Sequence, residues 1–139
     1  MDSKEKELSL YRLENAISTL EIAKLCMENK HYRDSINRCY YAAFYAIKAV
    51  LALEKIDFKR HKDVVGYFNK EYVATKIFDS DIGRKLGNLQ QLREKSDYND
   101  FYIASKVETE EQMQATEHII NNVIDYLKKE KVIEKQMYC

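Results

Sequence analysis

The chain has 139 residues, enough for one domain with a real hydrophobic core and too few to divide comfortably into two. It has no proline and only three glycines among many Leu, Ile, Lys and Glu residues, which disfavours sheets joined by tight hairpins and favours helices. Lys plus Arg equals Asp plus Glu at 23 each, which excludes an all-over basic surface of the kind that grips nucleic acid unspecifically and leaves room for a local basic pocket.

In chain order, a first amphipathic helix is predicted from about Lys4 to Glu28 on Leu10, Leu13, Ile17, Leu20 and Met27. "ENKH" breaks it, with Asn29 suited to the left-handed conformation that ends a helix. The second helix, from about Tyr32 to Lys55, carries two stripes. Ile36, Tyr40, Phe44, Ile47 and Leu51 recur at helical spacing and read as core. Asp34, Arg38, Tyr41, Tyr45 and Lys48 form a polar-tipped stripe beside it. The charged connection "IDFKRHKD" leads to a shorter helix at about Lys62 to Tyr72, on Val64, Val65, Phe68 and Tyr72, with Gly66 weakening it.

"FDSD" is a turn in which Asp79 or Ser80 can cap the next helix. That fourth helix covers about Asp81 to Lys95, with Ile82, Leu86 and Leu89 inward and Arg93 at the next inward position. "REKSDYND" closes it. Thr109-x-x-Gln112 has capping-box spacing and opens a last helix to about Lys131, lined by Met113, Thr116, Ile120, Val123 and Leu127. "LKKEKVIEK" reads as its solvated end.

Without repeats, linkers or low-complexity segments, residues 1–139 read as one unit: all-α, an antiparallel four-helix bundle with an additional short helix. With the short helix absorbed in a connection, helices two and four run antiparallel and bring Arg38 and Arg93 to one end. His61, in the connection after helix two, then belongs near the far end, a helix of twenty residues being about 30 Å long.

Cys26, Cys39 and Cys139 are odd in number and form no C-x-x-C, which argues against a disulfide framework or zinc knuckle and for a reducing cytoplasm. Cys26 and Cys39 read as small core residues, and Cys139 as a terminal thiol open to an adventitious intermolecular disulfide. "MDSKEKELSL" has no signal-peptide core, and no window approaches a membrane span. His31 and His118 have no metal-ligand spacing, and no Gly-rich phosphate loop or G-x-S-x-G occurs, so no metal or cofactor is expected.

Taken together, "NRCYYAAFYA", "KRHKDVVGYF" and "LREKSDY" resemble the HEPN family, in particular its small stand-alone prokaryotic members, from about Tyr11 to Leu127. The resemblance implies a helical bundle, usually a homodimer, often encoded with a minimal nucleotidyltransferase as a toxin-antitoxin pair. Many members resemble metal-independent RNases whose motif is Arg, four to six residues, then His, with two copies facing across the dimer cleft. Arg93 matches the arginine, but Tyr98 and Asp100 stand where the histidine would, and no histidine follows until His118. The motif is degenerate. Histidine titrates near neutrality, whereas an unperturbed tyrosine, at roughly 10, is a poor base at pH 7. Arg93 and Tyr98 can still orient a phosphate by donating hydrogen bonds.

Each candidate has a plain structural alternative. Arg93 can pair with Asp97, one turn on, or with Asp34, as readily as with a phosphate. Asp34 can neutralise Arg38. Tyr41 and Tyr45 can be core-edge residues, or, with Tyr98, Phe101 and Tyr102, aromatic faces for a nucleotide. His61 reads first as solvated loop, then as helix start or dimer contact, then as a catalytic group. Three functions follow: a nucleotide- or RNA-binding HEPN partner of a nucleotidyltransferase, an active metal-independent RNase in which another group replaces the histidine, or a purely structural dimer.

Overall fold

The structure, a computed structural model, describes residues 3–138. Cys139, with its expected exposed thiol, lies outside them. The elements are α1 (Ser3–Glu28), α2 (Tyr32–Leu51), α3 (His61–Phe68), α4 (Ser80–Tyr98) and α5 (Lys106–Lys129). A 3₁₀ turn, Ala52–Glu54, follows α2, and a π turn, Asn69–Val73, continues α3.

The expected antiparallel four-helix bundle is present, and cross-helix contacts fix its directions. Ser9 Oγ on α1 donates to Ala49 O at 2.7 Å, while Ser35 Oγ on α2 donates back to Ala23 O at 2.8 Å. As numbering rises on one helix it falls on the other. On α4, Arg93 reaches Tyr41 and Asp97 reaches Asn37, so α4 is also antiparallel to α2. Lys24 on α1 pairs with Glu117 on α5 at 3.2 Å, and Thr116 Oγ1 on α5 donates to Cys39 O on α2 at 3.2 Å. α2 packs on all three other long helices.

The sequence of α2 explains that central place. Its core stripe, Ile36, Tyr40, Phe44, Ile47 and Leu51, is buried, and so are Ala42, Ala43, Ala46 and Ala49. Small side chains on the remaining faces allow neighbours to approach, so this helix is apolar around most of its girth. Cys39 is also buried, which pushes its thiol up to about 12 and leaves it a small core residue. A second aromatic cluster, Phe68, Tyr72, Phe78 and Tyr126, ties α3 and its π turn to α5, with ring centroids 5.1–6.3 Å apart.

Several boundaries differ from expectation, each for a local reason. Lys30, rather than Asn29, takes the left-handed conformation (φ 62°), and His31 N closes on Cys26 O at 2.8 Å, the bond of a Schellman ending. Asn29 instead turns its side-chain amide back to Leu25 O. α2 gives way at Leu51 to the 3₁₀ turn, closed by left-handed Lys55. α4 runs on to Tyr98. The capping box of α5 is Ser105–Glu108, one turn before the predicted pair, and Thr109 is buried with its hydroxyl donating to Ser105 O. No helix among the described residues is long and apolar enough to cross a membrane.

Candidate functional site

Arg93 follows Ile82, Leu86 and Leu89 on the inner face of α4, all three fully buried. One turn later the bundle opens, and the arginine side chain is 18% exposed. Its guanidinium lies over two rings of α2, 5.1 Å from the Tyr40 centroid and 5.5 Å from that of Tyr41. Such cation–π placement favours the charge at partial burial. Nη2 donates to Tyr41 OH at 3.3 Å. Nε lies 3.3 Å from Asp97 Oδ2 without the alignment of a hydrogen bond, so the attraction there is ionic only. Asn37 Nδ2, 3.3 Å from Asp97 Oδ1, holds the carboxylate from the other side. The expected i, i+4 pair therefore exists, and it leaves donor capacity on the guanidinium unused.

His61, the first residue of α3, packs onto the same aromatic ledge. Its ring stacks on Phe44 at 4.1 Å between centroids and meets Tyr41 edge-on at 5.7 Å. Nδ1 is 3.3 Å from Tyr40 OH. Nε2 has no hydrogen-bond partner among the described residues. Burial lowers the imidazole's pKa from its usual 6.5, and the nearby charges of Arg93 and then Lys48 lower it further. Each of these effects favours the uncharged ring. Burial also pushes the Tyr40 phenol up to about 12, so its proton stays in place beside the histidine. Lys48 Nζ lies 5.8 Å from the Phe44 centroid and 3.5 Å from Asp57.

The expectation that His61 lies far from Arg93 is therefore corrected: both touch Tyr40 and Tyr41. The end-to-end count of helices ignored the reach of the connection. Tyr40 and Phe44 stand eleven and seven residues before Leu51, about 16 and 10 Å along the helix axis. After the 3₁₀ turn, the six residues Lys55–Arg60 can span up to about 20 Å when extended, enough to bring the chain back alongside α2.

Other candidates are placed apart. Tyr98, at the end of α4, is 79% exposed, and among the described residues it forms no hydrogen bond or cation–π pair with Arg93. Tyr102 OH donates to Glu108 in the α5 cap. Arg38 is exposed and, among the described residues, makes no ion pair with Asp34 or any other carboxylate. Tyr45 sits at the edge of the ledge, 6.3 Å from the rings of both Tyr41 and Phe44. Sequence reasoning treated Tyr40 and Phe44 as plain core and missed their polar and stacking roles. It also missed Arg33, which donates to Ser96 O and, at 3.2 Å, to Asn99 O, fastening the end of α4 to the start of α2. The phenol at position 40 was the available signal, since a tyrosine in a core stripe usually seeks a partner for its hydroxyl.

A model of the HEPN domain matches residues 9–131, nearly the whole chain. The chain belongs to the HEPN family. This HEPN protein is 31% identical over 129 residues to a UPF0332 protein of Thermotoga maritima, covering 93% of the chain and 86% of the relative. The Methanocaldococcus jannaschii protein named "Putative toxin MJ0605" is 32% identical over 117 residues, covering 84% of each chain. A second protein from that organism, named "Putative toxin MJ0142", is 25% identical over 122 residues, covering 88% of this chain and 83% of its own. Within the HEPN bundle described here, the cationic and aromatic groups converge at the junction of α2, α3 and α4.

Proposed function

We propose that this HEPN protein binds RNA or nucleotides at the Arg93 cleft and serves as the toxin-like component of a two-protein system. The carrying observation is that Arg93, stacked over Tyr40 and Tyr41 with donors to spare, shares one aromatic ledge with the His61 imidazole and Lys48. A phosphate takes the guanidinium hydrogen bonds, and a base takes an aromatic face. Asp97 offsets only part of the positive charge. The names of the Methanocaldococcus relatives support the toxin-like role. A homodimer, a minimal nucleotidyltransferase partner and action in the cytoplasm belong to the same reading and rest on likeness to the family.

The test is fluorescence anisotropy of a labelled single-stranded RNA against the purified protein across a salt series. Charged hydrogen bonds contribute about 1.5–3 kcal/mol, so Arg93→Ala weakens binding by roughly one to two orders of magnitude and flattens the salt dependence. Equal affinity in the folded variant, or no binding by the wild type, defeats the proposal. In the structural alternative Arg93→Ala changes melting temperature alone. A second reading, RNA cleavage, is favoured by one observation, the position of His61.

A further inference from the structure

We infer that the outer face of α1 docks a basic amphipathic helix of another protein. The inference lies beyond the RNA-binding reading and holds or fails without it.

α1 is apolar on two sides. Leu13, Ala16, Leu20 and Ala23 are buried against the bundle. On the opposite side Leu8, Tyr11, Ile22 and Leu25 are 41–62% exposed, although a helix with one core face ordinarily keeps the other polar. With Asn15 and Ser18 between them they follow alternating steps of three and four residues, the spacing of a two-helix seam, over about 26 Å of helix.

Glu7, Glu14, Glu21 and Glu28 run along one edge of this stripe. They stand seven residues apart, so the row drifts by only about 20° from one carboxylate to the next. All four are exposed, and none forms an ion pair among the described residues. Lys24, the cation between the last two, is turned to Glu117 on α5 at 3.2 Å. The Tyr138 phenol, near Glu14, is uncharged and neutralises nothing.

Stripe and row together select the occupant. The apolar stripe fits any apolar surface, but the carboxylate row is repelled by anionic lipid and by acidic helices and is attracted to a row of cations. A second copy of the chain does not supply that row. Paired antiparallel, with Leu8 against Leu25, it sets Glu14 against Glu21 and Glu7 against Glu28. Paired parallel, it offers Arg12, Thr19 and Cys26 to Glu7, Glu14 and Glu21. Arg12 is already held by Lys48 O at 3.1 Å and by Asp57 at 3.4 Å. The complementary partner is a helix of about five turns with its own apolar stripe and with Lys or Arg at each seventh residue of the facing edge.

The experiment uses three labelled synthetic peptides of roughly 20 residues, long enough to cover the stripe. One carries a Leu/Ile stripe edged by lysine, the second has glutamate at the edge positions, and the third is the basic peptide scrambled. Fluorescence anisotropy is read against the full chain across a salt series. The basic peptide is expected to bind at least about tenfold tighter than either of the others, by a margin that shrinks as salt rises. Tyr11→Ala and Leu25→Ala, both at exposed positions, each weaken it about tenfold without changing the circular dichroism spectrum. The double variant Glu14→Lys, Glu21→Lys prefers the acidic peptide, which places the contact on α1. RNA affinity, measured in parallel, is unchanged by these α1 variants, so failure of one reading leaves the other in place. Equal affinity for the three peptides, no binding of the basic one, or a preference unmoved by the charge reversal overturns the inference. So does a wild-type dimer in sedimentation velocity that Leu25→Asp dissociates, which puts a second copy on this face. Flotation with phosphatidylcholine vesicles that Leu25→Asp abolishes puts a membrane there and overturns it equally.

Discussion

At His61 an ordinary loop residue by sequence becomes a group with an altered proton affinity, and this has a consequence for stability. Burial first, then Arg93 and Lys48, lowers its folded pKa below the unfolded value of 6.5. Between those two values the unfolded chain binds more protons. The contribution is therefore complete above pH 6.5 and is lost as pH falls below it. Urea melts at pH 7.5 and in steps down to pH 5 should show wild type losing stability more steeply than His61→Asn over that window. Parallel slopes in the two proteins would refute the assignment. Arg93 illustrates a different legibility. Its inward position and its pairing with Asp97 were readable from three- and four-residue spacing. Its seat on Tyr40 and Tyr41 was not, because the facing register of α2 and α4 depends on packing between helices.

Element by element, the sequence marks starts and stops with unusual residues. Lys30, Lys55 and Lys131 occupy left-handed positions that favour glycine, and each is followed by the closing bond of a helix ending. A side chain there costs about 1–2 kcal/mol, partly offset by the greater entropy that glycine loses on folding. Lys131→Gly, remote from the cleft, should raise stability by roughly 0.5–1 kcal/mol in urea melts. Ser105→Ala should lower it by about 1 kcal/mol, because Glu108 N loses its 3.0 Å acceptor and the reciprocal cap falls apart. If Thr109→Ala had the larger effect through capping, the predicted box would be the real one. That prediction failed for a simple reason: Ser105 and Thr109 both stand four residues or fewer from suitable partners, and burial of Thr109 against the bundle chose between them.

For the molecule as a whole, the cleft and the core are one construction. Phe44 is buried in the core cluster and also carries the His61 ring. Phe44→Leu keeps most of the apolar volume and should cost about 1–2 kcal/mol in stability. It removes the stacking surface, so the affinity for RNA or the cleavage rate should fall more than that stability loss explains. Leu86→Ala provides the control: a fully buried position outside the site, expected to cost about 2–5 kcal/mol with RNA affinity of the folded protein unchanged. An unchanged site in Phe44→Leu would separate the ledge from function.

By itself the sequence determined the helices, their inward faces and the antiparallel bundle, because periodicity and composition act locally and a chain with these stripes has few ways to bury them together. The same reading drew a polar cleft around Arg38, Arg93 and Tyr98, with Tyr41 and Tyr45 in its wall and Asp97 as an ion-pair partner, and of these the structure joins Arg93 to Tyr41 and Asp97. Only the tertiary structure decided that Tyr98 and Tyr102 turn elsewhere and that His61 returns to the middle of α2. The path of the segment Ala52–Arg60 makes that choice. A nine-residue connection has no periodicity to read, and its course follows from where His61 and Val64 meet the aromatic and apolar surface that the bundle presents.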